Sequence, residues 1–143
     1  MPLDPQAPTD PCARASTPFP PACPEVPVGD LPKALAYYRD QLGYHIDWSD
    51  EQLGLAGLSR GDTRLFMSDA DFRDQRGNRP PIVLWFNASD RAEVDAIHAE
   101  WNAAGARIAG PPEARPYKLY EFFAHDLDAN VFRVFYDFAW EER

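Results

Sequence analysis

Val26-Pro27-Val28-Gly29-Asp30-Leu31 is a short extended run that ends on a helix-capping Asp, and the same order returns at Leu84-Trp85-Phe86-Asn87-Ala88-Ser89-Asp90. After the first run, Leu31, Ala34, Leu35, Tyr38 and Leu42 fall at i, i+3, i+4, i+7 and i+11, and Gly43 supplies the left-handed residue that ends a helix. After the second, Val94, Ile97, Trp101 and Ala104 form the stripe before Gly105, with Glu93 placed to reach back to the Asp90 cap. Three extended stretches follow each helix, at residues 44–48, 53–59 and 64–68 and again at 106–109, 120–125 and 131–136. Each large side chain of such a stripe contributes about 1.5–3 kcal/mol when buried against a sheet. The repeat therefore predicts an α+β fold of paired βαβββ modules, about 23–68 and 82–137, joined by a polar connector over 69–81. Neither half buries its own sheet, so the two share a core as a curved mixed sheet around a cleft, and function is sought in that cleft.

The rest of the chain narrows the class. Nine of the fifteen prolines lie in the first 27 positions, and Pro2, Pro5, Pro8 and Pro11 keep the three-residue spacing of a polyproline II turn. Residues 1–20 read as an extended arm outside a single domain over 21–143. The opening residues hold no basic or apolar leader, and the longest unbroken run of large apolar residues is 82–86, which predicts a soluble, cytoplasmic protein. Cys12 and Cys23 come without a spaced Cys/His set, so no disulfide is expected. A net charge of −9 and a pI near 4.7 repel a phosphate backbone and favour a cationic small molecule; nucleic acid is excluded as a partner. His45, His98 and His125 show no ligand spacing, and His98, at the border of the second helix stripe, reads as a packing residue.

Val26 to Leu31, followed by Ala34-Leu35-Ala36-Tyr37-Tyr38-Arg39-Asp40-Gln41-Leu42-Gly43-Tyr44, resembles the opening strand and helix of the vicinal oxygen chelate superfamily, which includes glyoxalase I, extradiol dioxygenases and fosfomycin and bleomycin resistance proteins. It is most similar to the bleomycin resistance proteins. Pro116-Tyr117-Lys118-Leu119-Tyr120-Glu121-Phe122 running into Asp126-Leu127-Asp128-Ala129-Asn130 resembles the closing hairpin of that superfamily. The family usually carries Trp-Gly where this chain has Tyr117-Lys118, and Pro and Gly where it has Leu127 and Ala129. A left-handed Ala129 costs about 1 kcal/mol, so the turn is expected to move that demand to Asn130.

The resemblance implies four metal-ligand positions in catalytic members, which fall at Cys23, near Ser68, at Ile82 or Val83, and at Arg133. One thiol does not make a three-ligand site. A guanidinium about 4 Å from a divalent ion costs roughly 8 kcal/mol at an effective dielectric near 20. No metal and no cofactor are expected.

Residues sharing strand parity with those positions point into the groove: Cys23, Glu25, Phe66, Ser68, Val83, Trp85, Glu121, Phe123, His125, Arg133 and Phe135, with Trp48 and Tyr117 at the border. The aromatic members form flat walls for a planar guest, and Glu25 and Glu121 add negative charge. Arg133 either neutralises one of these acids or holds an anionic group, and His125 with Glu121 keeps an acid–base pair open. The expectation is therefore a metal-free binding protein of the bleomycin resistance type, not an enzyme. It sequesters a cationic or aromatic ligand, such as a glycopeptide antibiotic, in the clefts of a homodimer, at Glu25, Trp48, Phe66, Trp85, Tyr117, Glu121, Phe123, Arg133 and Phe135. The alternative is a metal-dependent glyoxalase-like or dioxygenase-like enzyme.

Overall fold

Both predicted caps form. In the computed structural model, which describes residues 22–73 and 81–142, the Asp30 side chain accepts from the Lys33 amide at 3.0 Å and opens helix α1 (Leu31–Asp40), with Pro32 in the first turn. Gly43, at φ 75°, turns the chain out of that helix. Asp90 accepts from the Glu93 amide at 2.8 Å, and the Glu93 carboxylate reaches back to the Ser89 amide, one residue before the cap. The predicted arm over 1–20 and residues 74–80 of the connector lie outside the described residues.

The first module runs β1 (Glu25–Pro27), α1, β2 (His45–Asp50), β3 (Leu55–Arg60) and β4 (Thr63–Ser68). Its sheet has the order β1-β4-β3-β2, with β1 parallel to β4. A short helix α2 (Ala70–Arg73), inside the span expected to be connector, starts on the Asp69 side chain, which accepts from the Phe72 amide at 3.1 Å. The second module runs β5 (Val83–Asn87), α3 (Arg91–Ala103), β6 (Arg107–Ile108), β7 (Glu113–Ala114), β8 (Leu119–His125) and β9 (Val131–Asp137), followed by a 3-10 turn (Phe138–Glu142). Its order is β5-β9-β8-β6, with β7 also paired to β8 and β5 parallel to β9. The outcome is the expected α+β pair of modules, with two curved mixed sheets that do not close. No helix among the described residues is long and apolar enough to cross a membrane.

One core serves both modules. The inward parity of the first sheet (Val26, Leu58, Leu65, Met67), that of the second (Phe122, Phe132, Val134), and the stripes of α1 and α3 are buried together. Tyr38 of α1 packs edge-on against Phe132 of β9 at 5.7 Å, and the indole of Trp101 in α3 donates to the Leu42 carbonyl at 3.1 Å. Fully buried Asp126 ties the modules further. It accepts from the Tyr38 hydroxyl at 2.7 Å, the Asp128 amide at 2.8 Å and the Asn130 amide at 2.9 Å, while the Asn130 side chain donates to the Pro27 carbonyl at 2.8 Å. His98 stands edge-on to Phe122 at 5.1 Å, the packing role its place on the helix predicts.

That same network corrects the expectation for the closing turn. Ala129, not Asn130, takes the left-handed conformation, at φ 65°, because Asn130 is immobilised on both its backbone and its side chain. Lys118 does likewise at φ 70°. These two non-glycine residues with positive φ among the described residues thus stand where the resembled family carries glycine.

Candidate functional site

Both sheets turn one face to the common core and the other away from it. The sequence-predicted site residues divide between these two outer faces. Trp48, Phe66, Trp85 and Tyr117 are 41%, 38%, 49% and 52% exposed, an unusual amount of large aromatic surface for a chain of this size.

On the first face, a bulge in β2 brings Trp48 opposite Gly57 of β3, and Phe66 of β4 faces Gly57 from the other side. A Cβ at residue 57 would lie 2.4 Å from the Trp48 indole nitrogen, so only glycine lets the indole lie down on the sheet. Trp48 and Phe66 meet across that gap with centroids 6.0 Å apart. Glu25 stands opposite Phe66 and accepts from the Ser68 hydroxyl at 3.1 Å. Asp47 accepts from Ser59 at 2.9 Å and pairs with His45 at 2.8 Å; the hydrogen bond from His45 first, then that from Ser59, holds its carboxyl below the usual range. This face carries aromatic rings and two acids, with the cation of Arg64 opposite Ser59 acting on Asp47.

The second face is built differently. The Glu121 side chain is fully buried, and its Oε1 lies 2.8 Å from Nη2 of Arg133 and 3.4 Å from Nε of Arg115. The Tyr117 hydroxyl also bonds Glu121 and accepts from Arg133 at 2.9 Å; desolvation first, and then the Glu121 hydrogen bond and charge, push its phenol above its ordinary value. The Arg133 guanidinium lies 3.9 Å from the Trp85 ring centroid and 4.4 Å from that of Phe123, and Trp85 meets Phe135 edge-on at 5.6 Å. Glu121 therefore does not add negative charge to a groove, as the sequence reading expected, because two guanidiniums surround it. Arg115 was missed: it belongs to the turn before β8, where strand parity says nothing, and only its position two residues before Tyr117 hinted at it.

Two further expectations change. Glu121 and His125 sit four residues apart on β8, about 13 Å along an extended strand, so they form no acid–base pair. Cys23 is exposed and precedes β1. At the implied metal positions, Ser68 is buried on Glu25, Val83 is an exposed apolar side chain and Arg133 is ion-paired. Among the described residues no three His, Cys, Asp or Glu side chains gather to hold an ion. The residues present do not fit a divalent metal.

A hollow of about 480 Å³ opens between the β3–β4 turn and α3, but of the predicted residues only Trp85 borders it. Of its polar lining, Arg60 donates to the Leu42 carbonyl and pairs with Glu100, both at 2.6 Å, and Glu93 serves the helix cap.

The profile of the Glyoxalase/Bleomycin resistance protein/Dioxygenase superfamily matches residues 22–134. The chain belongs to this superfamily. Among solved structures it is similar to a lactoylglutathione lyase from Agrobacterium tumefaciens (TM-score 0.72, 21% identity, covering 87% of this chain and 98% of that one). It is also similar to the bleomycin-binding protein of bleomycin-producing Streptomyces verticillus, solved with copper(II)-bleomycin (TM-score 0.64, 27% identity, 82% and 96% covered). A glyoxalase/bleomycin resistance protein/dioxygenase from Nocardioides gives a TM-score of 0.69 at 17% identity over 85% of each chain. No curated protein matches. The matched span contains both copies of the repeat and every predicted site residue except Phe135, one position beyond it.

Proposed function

We propose that this member of the superfamily is a metal-free binding protein that sequesters a flat small molecule in the cytoplasm. Its single domain, 21–143, acts as a homodimer in which the first face of one copy meets the second face of the other, with the arm 1–20 outside it. The observation that carries this reading is the ion pair of Arg133 with Glu121 at the position the superfamily resemblance gives to a metal ligand, amid exposed aromatic rings on both outer faces. Such rings bind planar molecules by stacking and burial, and a ligand held this way needs no ion. The likeness to a bleomycin-binding protein supports the same reading. Glu25 and Asp47 of the first face are the acids that a positively charged part of the guest would meet there.

Tryptophan fluorescence titration with bleomycin and with neutral polycyclic aromatics, on protein dialysed against a chelator, tests this. Saturable quenching at micromolar ligand, unchanged by added zinc, is the expected result. Stoichiometric zinc, nickel, manganese or iron in the purified protein, or binding that appears only with the ion, overturns it.

A further inference from the structure

We infer that the second face is an oxyanion receptor, so that the flat guest carries a carboxylate or phosphate group seated on Arg133 and Arg115. This rests on the proposed binding role and adds the guest's chemical class. Arg133 is held on three sides. Trp85 and Phe123 flank its guanidinium, and Nη2 is spent on Tyr117 and Glu121. Nη1 makes no hydrogen bond among the described residues, and about a quarter of the side chain, 23%, stays exposed. Arg115 is similar: Nη1 donates to Glu113 at 2.7 Å, the ring of Phe123 lies 5.1 Å from its guanidinium carbon, and 24% of the side chain is exposed.

The chemistry of the unspent donors decides which guest they want. Two guanidiniums converge on one buried carboxylate oxygen, and Glu113 on Arg115 brings the four groups to formal neutrality. Glu113, the other acid on Arg115, is 56% exposed, and a hydrated pair of that kind competes weakly with a ligand. In a chain of net charge −9 this is a neutral patch, and Arg115 is better buried than its partner Glu113. The guanidinium fork matches the planar spacing of carboxylate and phosphate oxygens, and charge-assisted bonds are about twice as strong as neutral ones.

The donors are also fixed before the guest arrives, which lowers the ordering cost of binding. Arg115 donates its amide to the Leu119 carbonyl at 2.8 Å and accepts from the Lys118 amide at 3.0 Å, a tight turn closed by the left-handed Lys118. That turn sets Arg115 and Tyr117 over Glu121. A ring attached to the anion would then lie along Trp85 and Phe135.

Isothermal titration of the full chain with four probes tests the inference: 2-naphthoate, 2-naphthyl phosphate, 2-naphthamide and 2-naphthylmethylamine. The expected result is that an oxyanion probe binds at least tenfold tighter than the amide, and that the preference falls below threefold in R115Q. R115Q leaves the Arg133–Glu121 pair in place, and near-UV circular dichroism checks that it is folded. Whichever of naphthoate or naphthyl phosphate binds tighter identifies the source of the anion. Equal affinity for amide and oxyanion, or preference for the amine, overturns this inference and leaves the binding role standing. Failure of all four probes at millimolar concentration overturns the binding role and this inference with it.

Discussion

In the parallel strand pair that closes each module, the first sheet sets Glu25 opposite Phe66 and the second sets Trp85 opposite Arg133. The backbone arrangement is the same, and the charge has changed sign. On the first face Glu25 accepts from the Ser68 hydroxyl and Trp48 lies on a glycine; on the second a buried carboxylate organises two arginines and a tyrosine. The inward residues of both modules have one shared core to fill, and the outward ones are free of that constraint. Two unlike faces, one with exposed rings beside acids and one with guanidiniums gathered on a buried acid, are what a site gripping a guest from both sides would use.

The difference should appear first in stability. Glu121→Ala leaves Arg115 and Arg133 facing each other without their anion and is expected to cost about 3–5 kcal/mol, whereas Glu25→Gln keeps an acceptor for Ser68 and should stay within about 0.5 kcal/mol. Urea unfolding of both variants measures this, and equal costs would erase the distinction between the faces. Next in size is Gly57→Ala, which has to lift the Trp48 indole off β3. About 1–3 kcal/mol and a change in tryptophan emission are expected, and an unaltered spectrum would mean that the indole does not rest there. The smallest effect belongs to the strained turns of the second module. Ala129→Gly should stabilise by about 0.5–1 kcal/mol, because the relief of a left-handed alanine outweighs the added freedom of the unfolded chain. Lys118→Gly should gain less, since it also loosens the turn carrying Arg115 and Tyr117; a loss in thermal denaturation of the Ala129 variant would show that the turn is not strained.

Much of this architecture was legible because helix caps and stripes are local. Asp30, Asp90, Gly43 and the 3.6-residue spacing specify each helix without reference to the rest of the chain, and strand parity sorted Leu65, Met67, Phe132 and Val134 inward and Phe66, Trp85 and Arg133 outward. The candidate site was legible only in part, for three reasons that are not local. The division of the predicted groove into two faces depends on how the modules pack, which Tyr38, Trp101 and Asp126 decide. The donor set of the second face depends on Arg115, a turn residue without periodicity. The conformation of Ala129 depends on Asn130 being held by Pro27, 103 positions away. A glycine within a strand, Gly57, did carry a readable sign of close approach, and its meaning emerged only with Trp48 lying above it.

Subunit complementation tests most directly whether the two faces are halves of one site. Trp48→Ala damages the first face and Trp85→Ala the second, so each variant alone should bind 2-naphthoate at least tenfold more weakly than the parent chain. When the two are unfolded together, mixed equally and refolded, half the dimers pair unlike chains, and each of these has one cleft with both defects and one with neither. Calorimetry should then recover about a quarter of the original number of full-affinity sites. No recovery in a mixture that is demonstrably folded and dimeric would contradict a site shared between copies.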